Sequence, residues 1–214
     1  MLTGLLLAGT LQAADHRDSP SALAEPAADI ADIYAWTTAD TRSVNFALTI
    51  VVPEFSDALL YAIHVESSSA YGEAGDETVI VCAFDAQQNL ECWIGDDDYV
   101  AGDARSEVGL ESASGRVRAF TGERDDPFFF NASGLRQTLD IVADAAPNLD
   151  FDGAGCPILD AETSNALVSS LQSDGNAEDN FAGGTVGALV LQVDRGLLDA
   201  GGNILAVWSS THRI

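Results

Sequence analysis

The chain has 214 residues, 47% of them hydrophobic, and its 34 acidic residues against 9 basic ones leave a formal net charge of -25. That is enough apolar material for a sizeable core in one domain, which excludes a disordered acidic tail. All nine basic residues are Arg and no Lys occurs; such a surface repels phosphate backbones and anionic lipid, which excludes nucleic acid as a partner. The acidity suits either solubility in a salty, screening medium or a surface that attracts cations or a cationic partner.

Residues 1–14 carry no charge and contain the apolar run Leu5-Leu6-Leu7-Ala8, followed by Ala13 and Ala14 and then Asp15-His16-Arg17-Asp18. This pattern reads as the remnant of a signal peptide and predicts an exported, periplasmic or extracellular protein. The run is too short to span a bilayer, and no later stretch is long enough, so no membrane span is expected. Residues 15–214 then form a single β-rich domain.

Ser19 to Asp29 is rich in Pro and Ala and reads as extended surface chain. Strand alternation begins at Ile33-Tyr34-Ala35-Trp36. Val44, Phe46, Leu48 and Ile50 share one face of a strand over 44–52, and the next, over 59–66, sets Tyr61, Ile63 and Val65 against Ala62, His64 and Glu66. Two apolar runs then flank the turn-like Asp85-Ala86-Gln87-Gln88-Asn89. Folding about Gln87 sets Ile80 opposite Ile94, Cys82 opposite Cys92 and Phe84 opposite Leu90. Directly opposed residues of that kind lie within disulfide reach, so Cys82 and Cys92 are predicted to be bonded, leaving Cys156 over.

Residues 95–114 read as a polar, Asp-rich connection, with strands expected at Arg116 to Phe120 and at Pro127 to Phe130. Ser133 can cap a helix to about Asp144 with Leu135, Leu139 and Val142 on one face, and Asp160 a second to about Gln172 that buries Leu167, Val168 and Leu171. Strands at 186–193 and 204–209 close the chain. The fold class this predicts is mainly β: an antiparallel β-sandwich with two short helices at one end.

Signals for chemistry are sparse. No nucleophile elbow, zinc-protease, P-loop or dinucleotide motif occurs, which points away from an enzyme. His64 shares a strand face with Glu66 and reads as a solvated or satisfied histidine; His212 sits near the end of the chain beside Arg213. Asn148, Asp150 and Asp152 space three oxygen donors at alternate positions before Gly153, like the start of a calcium loop, but Leu159 stands where that loop needs its final Glu. A mature terminus Ala14-Asp15-His16 would offer four nitrogens in one plane, and with them a copper site at His16. Arg124-Asp125-Asp126-Pro127-Phe128-Phe129-Phe130 is the most specific string: three consecutive Phe predict a strand buried on both faces, and the Arg entering it should be paired with a carboxylate.

That string, the opening Asp15-His16-Arg17-Asp18-Ser19-Pro20 and the strand Asp29-Ile30-Ala31-Asp32-Ile33-Tyr34-Ala35-Trp36 resemble a bacterial exported family catalogued as domain of unknown function 4331, in its short form. Asp179-Asn180-Phe181-Ala182-Gly183 and Val207-Trp208-Ser209-Ser210-Thr211 are also similar. The resemblance implies export and no particular activity. It groups His16, Arg17, Asp29, Asp32, Arg124, Asp125 and Asp126 as a candidate site or structural cluster. The expected function is an exported, acidic, non-catalytic module for a ligand or protein partner that the sequence does not name. At the level of fold it resembles secreted sandwich modules that bind sugars or haem. The alternatives are a calcium- or copper-binding or redox-accessory protein, and an unrecognised hydrolase.

Overall fold

A computed structural model describes residues 20–214. They form two compact units, one of residues 20–125 with Thr185–Ile214 and the other of Asp126–Gly184. The second unit is the segment between the eighth and ninth strands.

The first unit holds strands β1 (Ile30–Thr37), β2 (Ser43–Ile50), β3 (Leu59–Ser68), β4 (Asp76–Phe84) and β5 (Leu90–Ile94). These are followed by β6 (Asp98–Gly102), β7 (Leu110–Glu111), β8 (Val117–Asp125), β9 (Thr185–Asp194) and β10 (Ile204–Arg213). They make two five-stranded sheets, β1-β2-β9-β8-β7 and β10-β3-β4-β5-β6, antiparallel throughout. The inward side chains of both sheets meet in one core, so the unit is an antiparallel sandwich.

Register aligns the apolar side chains in rows. In one sheet Val44, Val193 and Val117 face across adjacent strands, as do Phe46, Leu191 and Ala119. In the other, Tyr61, Cys82, Cys92 and Val100 form one row and Ile63, Ile80 and Ile94 the next. All are buried, and each large apolar side chain contributes about 1.5–3 kcal/mol by leaving water. The β4–β5 hairpin has the predicted register, and Cys82 and Cys92 are bonded with Cα atoms 4.2 Å apart. The turn works because Asp85 Oδ1 accepts the Gln87 and Asn89 amides while Asn89 Nδ2 donates to Oδ2. These bonds, the Asn89 side chain foremost, hold the Asp85 carboxyl below its ordinary pKa. Gln88, at φ 62°, exchanges two hydrogen bonds with the Phe55 backbone. That seats the Phe55 ring in parallel on Phe84 at 4.2 Å.

Several expectations need correction. Residues 127–130 are not a strand. Pro127 has no N–H to give a ladder, Phe128 N–H goes to Asp126 Oδ1, and Phe130 uses its N–H and C=O on Asp179 and Asn180. Phe128 and Phe129 are 37% and 58% exposed rather than buried on both faces, and Phe128, Phe130 and Phe181 cluster at centroid distances of 5.8–6.1 Å. The supposed connection over 95–114 contains β6 and β7. Val81 and Val190 face outward, their strands reaching the core through Ile80, Cys82, Leu189 and Leu191. Residues 20–29, within the stretch expected to be extended, are not: Pro20–Ala24 is a short helix, α1, and Pro26–Ala28 a 3-10 turn.

The second unit carries α2 (Ala132–Ala145) and α3 (Ala161–Leu171). Asp160 caps α3 as predicted, accepting Thr163 N–H at 2.7 Å, but α2 is capped by Asn131 rather than Ser133. The helices meet at a glycine: a Cβ on Gly134 would stand 2.3 Å from the Leu171 carbonyl oxygen. They therefore do not pack through Leu139, which is 55% exposed, because this close approach leaves Gly134 and Thr138 as the buried face. Among the described residues no helix is long and apolar enough to cross a membrane.

Two predictions follow from the β4–β5 staple and from Tyr61. Alkylation of the folded, unreduced protein should modify Cys156 alone, with Cys82 and Cys92 reacting only after reduction. Breaking that bond should cost about 2–3 kcal/mol in urea unfolding, the value expected for so short a loop. Tyr61 Oη donates to Ala27 C=O at 3.0 Å and accepts Ser56 N–H at 2.9 Å. Burial pushes its pKa up to about 12, against the opposing bond from Ser56 and with a small push from Glu25. The folded chain thus holds this proton more tightly than the unfolded chain, whose tyrosine titrates near 10. The stabilisation from Tyr61 is complete below pH 10 and is lost between about pH 10 and 12. Tyr61→Phe should flatten that part of the stability–pH curve and cost about 1–3 kcal/mol at neutral pH, by stranding two backbone groups.

Candidate functional site

Because side chains alternate along a strand, sending Tyr61, Ile63 and Val65 into the core sends Ala62, His64 and Glu66 to the outer face of the β10-β3-β4-β5-β6 sheet. Trp208 on β10 and Val79 on β4 stand opposite His64. One row along, Ser210, Ala62, Val81, Trp93 and Tyr99 face one another across the five strands.

The side chains on this face are joined. The His64 and Trp208 rings lie parallel, 3° apart, at 5.1 Å. His64 Nδ1 is 3.0 Å from Glu77 Oε1, and its Nε2 is 2.8 Å from Ser210 Oγ. Ser210 Oγ is in turn 2.8 Å from His212 Nε2. Glu77 and Ser210 reach His64 as diagonal neighbours, each two residues from the residue opposite it. Glu66, the sequence neighbour, is turned away: its Oε1 accepts Gly75 N–H at 3.1 Å. At the far side of the sheet Trp93 and Tyr99 are 5.4 Å apart, and Tyr99 Oη donates to Glu91 Oε1 at 3.1 Å.

All three tryptophans of the chain are surface residues: Trp36 is 49% exposed, Trp93 39% and Trp208 42%. Large aromatic side chains usually contribute most by burial, and these three leave between two fifths and half of their surface open. Trp36 lines a separate groove with Arg195, Asp199 and Asn203, in which Arg195 and Asp199 form an ion pair of 3.0 Å.

Of the residues grouped from sequence, the structure describes Asp29, Asp32, Arg124, Asp125 and Asp126. His16 and Arg17, and with them the copper reading, lie outside the described residues. Asp29 and Asp32 sit at the start of β1, where Asp29 C=O accepts Val51 N–H and a bulge separates Ile30 from Asp32. Asp32, Thr49, Ala188 and Gly122 form one row, so Asp32 and the Arg124 strand are three strand spacings, roughly 14 Å, apart. Arg124 stands over the Phe120 ring at 4.1 Å and donates to Glu123 C=O, a cation–π contact in place of the expected carboxylate. Asp125 ends β8, and Asp126 opens the second unit with an Asx turn.

Asn148 ends the 3-10 turn Ala146–Asn148, Asp150 C=O accepts Ile158 N–H, and Asp152 opens a tight turn over 152–156. Asp152 Oδ1 accepts the Ala154 and Cys156 amides at 2.9 Å each, beside the bridge between Phe151 and Pro157. The spacing that resembles a calcium loop therefore has a structural use here. Among the described residues no group of three or more His, Cys, Asp and Glu converges as a metal-holding cluster.

What sequence reading misses is Ser210 and His212. The last strand continues four residues beyond Ser209, to Arg213. The signal was present in the outward series Trp208, Ser210 and His212, continuous with the period of the preceding residues. Comparison with family models, with curated proteins and with solved structures finds no match.

The use of Asp152 can be checked by hydrogen exchange. Asp152→Ala should raise the exchange rate of the Ala154 and Cys156 amides about tenfold, the loss of roughly 1.4 kcal/mol of protection expected when a charged acceptor is removed. The change should be the same with and without calcium.

Proposed function

We propose that this chain is an exported ligand-binding module that takes a neutral polysaccharide on the outer face of the β10-β3-β4-β5-β6 sheet. The observation that carries this reading is the pair of half-exposed aromatic stations on that face. Trp208 lies stacked on His64, and Trp93 stands beside Tyr99. The two tryptophans are three strand spacings apart, roughly 14 Å across the sheet. Between them lie only the low side chains Ala62, Val79 and Val81. A flat track with two aromatic stations suits a rigid chain that offers apolar ring faces in series.

Polar groups border the rings: Glu77, Ser210 and His212 on one side, Glu91 and the Tyr99 hydroxyl on the other. They can exchange hydrogen bonds with sugar hydroxyls, while indole rings take the C–H faces. Charge narrows the class further. With Glu66, Glu77 and Glu91 on the same face and a chain at -25, an anionic polymer is repelled.

Export is part of the same proposal. It is supported by the uncharged apolar run before residue 15, by the Cys82–Cys92 bond, which persists in oxidising compartments, and by the resemblance to an exported family of unknown function.

Retardation in native gels cast with neutral soluble polysaccharides, and retention on insoluble ones, tests the reading. Trp93→Ala and Trp208→Ala should each weaken binding about tenfold, the loss of a stacking contact near 1.4 kcal/mol. Trp36→Ala should leave it unchanged. Absence of retention by every neutral polysaccharide, or equal retention by the wild type and the Trp93→Ala, Trp208→Ala double variant, would overturn it.

A further inference from the structure

The hydrogen-bond arithmetic around Ser210 leads beyond binding. An ionised carboxylate only accepts, so Glu77 Oε1 at 3.0 Å requires the proton of a neutral His64 to sit on Nδ1. His64 Nε2 is then bare and accepts from the Ser210 hydroxyl at 2.8 Å. A hydroxyl donates once, so the remaining contact at 2.8 Å runs from His212 Nε2–H to Ser210 Oγ. This is the arrangement of an activated nucleophile: a hydroxyl, a base that can take its proton, and a carboxylate that sets the tautomer of the base.

We infer that Ser210 is an acylatable nucleophile, with His64 as its general base and Glu77 as the positioning residue for His64, and that it transfers acyl groups from esters to water.

The three groups are held independently of one another. They come from three adjacent strands, β10, β3 and β4, whose registers are set by the core rows beneath them. Trp208 fixes the plane of the His64 ring by parallel stacking. The His64 side chain is only 19% exposed, whereas the outer face is open to a substrate beside Ser210. In the step itself Ser210 Oγ attacks the ester carbonyl carbon and its proton passes to His64 Nε2. The negative charge gathers on the former carbonyl oxygen, and the nearest side-chain donor to Ser210 Oγ is His212 Nε2–H. Collapse breaks the ester C–O bond, the alcohol leaves with the proton from His64, and acyl-Ser210 remains. Water then gives a proton to His64 Nε2 and its oxygen to the acyl carbon; the bond from the acyl carbon to Ser210 Oγ breaks, His64 returns the proton to Oγ, and the acid leaves. No oxidant, metal or cofactor is called for.

The inference goes beyond the binding reading and stands or falls without it. The full chain is treated with a fluorophosphonate, which forms an Oγ–P bond as fluoride leaves, and separately with p-nitrophenyl acetate. Intact mass and mapping of the peptide spanning 196–213 locate the adduct. One equivalent is expected on Ser210, none there in Ser210→Ala, and a rate at least a hundredfold lower in His64→Gln, as befits loss of a general base. Glu77→Gln keeps a hydrogen-bonding side chain but lets His64 adopt the other tautomer, and should slow labelling without changing thermal stability. Ser114→Ala, which removes a hydrogen-bonded serine with no histidine beside it, should label like the wild type. A wild type that stays unmodified at Ser210, or that labels no faster than His64→Gln, overturns the inference. Labelling measured on Trp93→Ala separates the two readings, because Trp93 lies outside the Glu77–His64–Ser210 line: that variant should lose polysaccharide retention and still label at Ser210 like the wild type.

Discussion

Tyr61, Ile63 and Val65 enter the core from β3, and the backbone geometry of an extended chain then leaves Ala62, His64 and Glu66 no choice but the opposite face. Ten aligned pairs with β10 and eight with β4 hold that strand from both sides. A slip of one residue would drive His64 into the core and three large apolar side chains into water. Burial of the inner row therefore enforces the outer row. The hydrogen-bonded line from Glu77 through His64 to Ser210 and His212 is positioned by apolar residues that never touch it.

The same sheet carries the covalent bond. Cys82 and Cys92 sit in the row that contains Tyr61 and Val100, so the staple lies beneath the face on which the candidate site is built. Tyr61 adds a polar tie within the core, bonding Ala27 and Ser56 from a fully buried position. Rigid support of this kind is what a shallow site on a sheet requires, since such a site has no cleft walls to hold its side chains in place.

The second unit is built on a different principle. Its helices approach closely enough that Gly134 and Leu171 leave no room for a Cβ, and much of their apolar surface, Leu139, Ile141, Val142 and Val168 included, remains exposed. The three-phenylalanine string, read as a core strand, belongs to this unit. Its backbone groups are taken by Asp126 in a local Asx turn and by Asp179 and Asn180, which lie far along the chain and which no local pattern announces. Hydrophobicity alone did not distinguish a strand in a sandwich from a loop gathered around a ring cluster.

Period-two alternation was legible from sequence wherever one face is buried. That is why β2, β3, β9 and the register of the β4–β5 hairpin, with its opposed cysteines, follow from the residues themselves. The charge, the lack of lysine and the capping role of Asp160 were legible too, because each is a local or compositional property. The candidate site was not. His64 lies 13 residues from Glu77 and 146 from Ser210, and no rule of sequence spacing links such positions. Glu66 shares the strand face of His64, yet the Glu66 carboxylate is taken by Gly75 N–H, and it is Glu77, across the β3–β4 pair, that meets His64. Local pattern decides which face of a strand a side chain takes; which strands lie beside it is decided by the packing of the whole sheet, and that choice brings Glu77, His64, Ser210 and His212 within hydrogen-bond reach.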